Sequence, residues 1–267
     1  MTAGGALLLV LASTVGCAKL KARDQLVKGV QAFKAGRYEE AIGNFQNSIK
    51  LDPNYDPARL YLATAYSYQV VPNLTTPENL AAAQRALDGF NEVLAKNPED
   101  LGALRQVASI HRNIQQYDKA KADEMTIIRI EPNDAEANYT IGVIDWTQAY
   151  KNAVATLAAQ NMQDDGNGNP KKSKDTCAKL VAQNSQLVNE AMQYLNRAVQ
   201  INPNYDDAMQ YLNLNFRRKA DLECTNDDAR KADLAQADQW VQRATGARKA
   251  NEKAKEQKLG GGIQMNQ

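Results

Sequence analysis

Apolar positions along this chain recur at helical spacing, and the pattern keeps register with its prolines. Pro53, Pro98, Pro132 and Pro203 stand in "DPN", "NPE", "EPN" and "NPN". Twelve residues before each comes an alanine: Ala41, Ala86, Ala120 and Ala191. Eight before come Phe45, Phe90, Glu124 and Leu195, and five before come Ser48, Val93, Ile127 and Ala198. Offsets of four and three put such residues on one helical face. A second apolar stretch follows each proline, with Leu62-Ala63, Val107-Ala108, Ile141-Gly142 and Leu212-Asn213 in equivalent places. The pattern therefore predicts helix, proline turn, helix, repeated. Proline ends one helix and suits the turn or first position of the next. A small residue in the second helix marks where two helices touch closely.

The spacing is regular only in part. Pro98 to Pro132 spans 34 residues, Pro53 to Pro98 spans 45, and Pro132 to Pro203 spans 71. The shorter excess falls near "YSYQVVPNLTTPEN", where Thr76-Pro77 reads as an N-cap followed by proline at the first helical position. The longer excess reads as a helical hairpin. One helix runs on through "DWTQAYKNAVATLAAQNMQ", the polar stretch "DDGNGNPKKSKD" turns the chain, and a second helix returns through "TCAKLVAQNSQ". We expect this hairpin to project beyond the stack, with a flexible turn at its tip. "DDGNGN" is not a calcium loop: counted from Asp165, the sixth residue is Pro170 and the twelfth Thr176, where glycine and glutamate are required.

These residues together resemble the tetratricopeptide repeat, a helix–turn–helix unit with a 34-residue period. Gly29, Gly36, Tyr38, Ala41, Phe45 and Pro53 fall on its motif. The resemblance implies an all-α, right-handed α-solenoid of about five units, with the extended hairpin in unit four. The units lie near 22–55, 56–100, 101–134, 135–205 and 206–247. A basic capping helix end and a flexible tail occupy 248–267. One helix pair is too small to bury its apolar face alone, so neighbours stack into a continuous core.

In this family the first helix of each unit lines a concave groove that takes extended peptides. Carried over, that assigns Tyr68, Arg105, Ser109, Arg112, Asn113, Tyr139, Trp146, Arg217 and Arg218 to the groove. Arginine beside aromatic rings suits acidic or extended peptide partners. The chaperone-tail carboxylate clamp of some members needs basic and amide residues where this chain has Leu26 and Val30, so that ligand is not expected.

The N-terminus suggests where such a protein works. Residues 3–16 form a short apolar run ending "TVGC", too few to span a bilayer, which needs roughly 20 residues. The run resembles a bacterial lipoprotein signal, with Gly16 before a lipidated Cys17. Thr14 and the missing basic residue ahead of the run depart from that pattern. The resemblance implies a signal segment at 1–16, a short linker at 17–21, and a membrane anchor on Cys17. By the same resemblance, Ala18 after the cysteine, in place of aspartate, implies the outer membrane, facing the periplasm. Export would allow a disulfide between Cys177 and Cys224, which sit just past inter-helix turns in adjacent units. Their Cα atoms must then lie within about 7 Å, although packed helix axes sit roughly 8–10 Å apart. Two separate thiols are the alternative.

Composition removes other classes. A net charge of +1 gives no field toward nucleic acid. His111 is the only histidine, which disfavours metal sites and catalytic triads, and no partner for it is evident in the sequence. No phosphate loop or nucleophile elbow is present. The expectation is a non-catalytic protein-interaction scaffold of the bacterial cell envelope, with no cofactor, metal or nucleic acid. A soluble periplasmic adaptor, or a small-ligand binder using the hairpin, is the alternative.

Overall fold

Each landmark proline lies in a four-residue turn that joins two helices. In the computed structural model, which describes residues 5–260 with side chains from 17 to 257, there are ten helices and no strand among the described residues. They are α1 (Gly5–Lys34), α2 (Tyr38–Leu51), α3 (Asp56–Ser67), α4 (Pro77–Lys96), α5 (Leu101–Asn113), α6 (Tyr117–Ile130), α7 (Ala135–Ala158), α8 (Lys174–Ile201), α9 (Asp206–Asp221) and α10 (Asp227–Gly260). Consecutive pairs make the five expected units. Side chains of the apolar run within 1–16, and the tail at 261–267, lie outside the described residues. The expected linker at 17–21 is instead helical, inside α1. It continues a helix that Ala22, fully buried, already anchors by a hydrogen bond from Ser48 Oγ to its carbonyl at 2.7 Å.

The chain divides into two compact bodies, residues 1–126 and 127–267. In the first, Ala41 and Ala86 have no exposed surface, nor has Ala120. Phe45 and Phe90 are buried beside them at 0% and 1%. Alanine is small enough to let helix axes approach, and the phenylalanines fill the space between. In the second body Ala191, Leu195 and Ala198 are fully buried in a core shared with Leu212, Trp240 and Ala244. Gly142 shows why a small residue was needed: a Cβ there would stand 2.5 Å from Leu195 Cγ. The exception is Glu124, a charged residue only 8% exposed where other units carry an apolar side chain.

Sequence logic also sets the helix ends. Thr76 caps α4 through its side-chain oxygen and Pro77 opens the helix. Asp100, Asp134 and Ser173 accept backbone N–H groups at the starts of α5, α7 and α8. Among the described residues no helix is long and apolar enough to cross a membrane.

Candidate functional site

In the C-terminal body α7 and α9, the first helices of units four and five, carry a continuous aromatic strip together with Tyr205 in the turn just before α9. Tyr139 lies 5.0 Å from Tyr205 and 5.6 Å from Tyr211, centroid to centroid. Tyr211 meets Trp146 edge-on at 5.2 Å, and Trp146 stacks on Tyr150 at 5.2 Å with an 11° tilt. Trp146 and Tyr150 are one helical turn apart, so α7 alone sets their stacking. Tyr150 remains 40% exposed, and the Arg218 guanidinium lies 5.7 Å from its ring. At the other end the Tyr205 hydroxyl donates to Glu136. Burial, and then this bond to a carboxylate, push the Tyr205 phenol well above its ordinary range. Trp146 Nε1 is buried without a hydrogen-bond partner among the described residues.

Beyond Tyr150 the hairpin turn is locked onto unit five. Cys177 and Cys224 are joined by a disulfide, with Cα atoms 5.5 Å apart. Arg218, only 4% exposed, holds Asp164 at 2.8 Å with one guanidinium nitrogen, and its other lies 2.8 Å from Asp221. Arg217 donates to the Gly166 carbonyl at 2.9 Å and to Asp238 at 2.8 Å. Arg230 donates to the Asn167 carbonyl at 2.8 Å, and Lys172 to that of Gly168 at 2.7 Å. Gly168 must be glycine: its φ is +77°, and a Cβ would stand 2.7 Å from the Ala220 carbonyl oxygen.

The turn is therefore not the flexible loop expected. Asp165 accepts N–H groups of Asn167 and Asn169, Asp164 accepts that of Gly166, and Asn169 is 3% exposed. Asx turns of this kind fix a loop without secondary structure. Burial is also felt electrostatically. Desolvation raises the Asp221 carboxyl to about 6, with Asp164 adding to the rise and Arg218 opposing it. Desolvation likewise lowers the Lys172 ammonium, against the pull of Asp221.

The predicted groove residues do not form one set. Tyr139 and Trp146 lie in the strip. Arg217 and Arg218 do not line a free groove; they are committed to the hairpin turn. The repeat register placed them correctly on α9, but it could not show the inserted loop returning onto that helix. In the N-terminal body Arg105, Ser109, Arg112 and Asn113 share α5 and are all half-buried. The Asn113 carbonyl accepts the Asn73 N–H at 2.7 Å. Tyr68, 59% exposed, belongs to a separate cluster with Phe33 at 4.9 Å and Tyr38 at 5.6 Å. Cys17 is free and exposed.

Other features were missed. His111 does have a partner: its Nδ1 lies 2.6 Å from Asp123 Oδ2, joining α5 to α6. Among the described residues no group of three or more His, Cys, Asp or Glu side chains is placed to hold a metal. A cleft of about 270 Å³ in the hairpin is lined by Asn152, Thr156, Gln160, Thr176, Lys179 and Gln183 among others, with one charged group, Lys179.

No protein-family model and no curated protein matches the chain. Solved structures do. MamA (41-end) from Desulfovibrio magneticus RS-1 aligns with a TM-score of 0.54 at 16% identity, covering 86% of this chain and 96% of that one. Another MamA crystal structure gives a TM-score of 0.56 at 12% identity, covering 92% of this chain and 97% of that one. With the helix pairing above, these likenesses give the chain a tetratricopeptide-type helical-repeat fold.

Proposed function

We propose that this protein is a non-catalytic scaffold of the bacterial cell envelope, anchored by lipid on Cys17 at the outer membrane and receiving extended segments of partner proteins on its first-helix faces. The observation that carries the binding reading is the strip running from Tyr205 through Trp146 to Tyr150, whose far ring is 40% exposed. Aromatic rings offer large contact area at small entropic cost, which suits peptide capture. Tyr68, 59% exposed on its own cluster, offers a second such point in the N-terminal body. The anchor reading is supported by the sequence before Cys17 and by the exposure of that cysteine.

Crosslinking and pull-down from envelope fractions test the scaffold reading. Tyr150→Ala and Tyr68→Ala remove exposed rings with little burden on the fold, and each should reduce partner capture. Undiminished capture by both would count against it. Detergent partitioning of wild type against Cys17→Ser separates an anchored scaffold from a soluble periplasmic adaptor.

A further inference from the structure

Between α1 and α2, Gly36 turns the chain at φ +74°, and α2 begins at Tyr38. The end of α3 comes alongside, with Tyr68 5.6 Å from Tyr38 between ring centroids. Phe33, half-buried, meets both rings edge-on, at 5.4 Å and 4.9 Å. It props the two tyrosines, so they need little further ordering when something binds. Both tyrosines line an open cleft of about 490 Å³, together with Arg37, Glu39, Glu40 and Gln69.

The charge in this cleft is unbalanced. Arg37 Nε holds Glu40 Oε2 at 2.7 Å, which offsets one carboxylate. Glu39 instead accepts from the neutral amide of Gln69, at 2.6 Å through Oε1. Lys34, in the last turn of α1, does not line the cleft. One negative charge is therefore left over, held in place by Gln69, in the same cleft as the 59% exposed ring of Tyr68. Both glutamates stand in the first turn of α2, where the helix dipole favours the ionised form.

We propose that this cleft takes an arginine or lysine side chain from an extended segment of a partner protein. An aromatic face attracts a cation, and a carboxylate adds a charge-assisted hydrogen bond. Arginine suits both, because its flat guanidinium stacks on a ring and still donates sideways. The chain makes the ring half of this contact within itself, where the Arg243 guanidinium lies 3.8 Å from the Trp240 ring centroid. An acidic segment would meet Glu39 with like charge, and a wholly apolar one would desolvate that carboxylate without pairing it. That the ligand is a protein segment rests on the scaffold reading above. Its polarity is the reverse of the acidic partner that groove arginines imply, since Arg217 and Arg218 are committed to the hairpin turn.

The test uses the full chain carrying Cys17→Ser, which has no acyl group. It is titrated into a dye-labelled glycine-serine peptide bearing three arginines, and binding is read by fluorescence anisotropy. Versions with citrulline or glutamate in place of arginine are run beside it. The arginine peptide should bind at least about tenfold more tightly than the citrulline peptide, and raised salt should narrow the gap. The glutamate peptide should bind least. Tyr68→Ala and Glu39→Gln should each weaken the arginine peptide about fivefold, because each removes one half of the contact. Glu99→Gln changes an exposed carboxylate at another turn of the same body and should leave binding unchanged. Circular dichroism checks that all three variants keep their helices. Equal binding of arginine and citrulline peptides, or wild-type binding by both the Tyr68 and Glu39 variants, overturns the proposal. So does an equal loss in Glu99→Gln. Capture from envelope fractions separates the two readings. A partner lost with Tyr68→Ala but kept with Glu39→Gln sinks the cation site and leaves the scaffold standing. Arginine-peptide binding with no envelope partner lost in either variant does the reverse.

Discussion

The two departures from the 34-residue period are held in place by different physics. The short one, between α3 and α4, is closed mainly by hydrogen bonds from one side chain. Asn79, 5% exposed, accepts the Val71 N–H at 2.7 Å and donates to the carbonyls of Val71 at 3.0 Å and Leu74 at 2.6 Å. The long one, between α7 and α8, uses a disulfide, a buried arginine with two carboxylates, and three cationic side chains on backbone carbonyls. A short insertion can be closed with a few hydrogen bonds, and Asn73 adds two from the neighbouring unit, its N–H to the Asn113 carbonyl at 2.7 Å and its carbonyl from Gln115 Nε2 at 3.0 Å. A long hairpin brings a second apolar and polar surface that has to be joined to a neighbour. Asn73, at φ 62°, shows the economy of the first solution, and the chain of ties from Asp164 to Arg230 the demands of the second.

Breaking the long insertion's covalent tie should have the largest effect. The disulfide closes a sequence separation of 47 residues, for which loop-closure entropy gives a stabilisation of about 4 kcal/mol. Replacing Cys177 and Cys224 by serine should lower the denaturant midpoint of the C-terminal body by a corresponding amount, with the N-terminal body unmoved. Asn79→Ala is the matching experiment in the short insertion. It removes three part-buried hydrogen bonds, to the Val71 N–H and to the Val71 and Leu74 carbonyls, at a cost of about 3 kcal/mol, read from thermal or urea unfolding of the N-terminal body. A pH titration sharpens the contrast with the smallest effect. Asp221 is pushed up to about 6 in the folded protein, above the ordinary carboxylate value of 3.8, so folding favours its protonated form. Its contribution to stability is fully present below about pH 4 and is lost as pH rises through 6. Between pH 4.5 and 7 the stability of wild type relative to Asp221→Asn should fall by on the order of 1–2 kcal/mol. A flat difference would show that the turn does not bury its charge.

The periodic part of this architecture was readable because one rule generates it. Ala41, Ala86, Ala120 and Ala191 were picked out by their distance from proline alone, and all four are fully buried. Thr76 and Pro77 marked the start of α4 by local chemistry. What escaped the reading lies where the chain stops being periodic. Arg217 and Arg218 looked like groove residues because register fixes the face of a helix, whereas their actual partners, Asp164 and the Gly166 carbonyl, are more than 50 positions away. The acidic pair Asp164-Asp165 across the insertion from an arginine pair was the available signal. His111 and Asp123 stand on the two helices of one unit, and only the crossing of α5 and α6 brings them to 2.6 Å. Tyr150 lay one helical turn from Trp146, a spacing that could have been used.

The two sulfurs of the disulfide see different surroundings: Cys177 is 1% exposed, whereas Cys224 is at the surface. An incoming thiolate therefore meets the Cys224 sulfur and must expel Cys177 as a thiolate into a dry interior. Desolvation makes that a poor leaving group. The expelled sulfur also stays beside the mixed disulfide, ready to close it again. Small-molecule reductants should act slowly on this bond unless the body around it first opens, so its survival becomes a clock for the opening of units four and five.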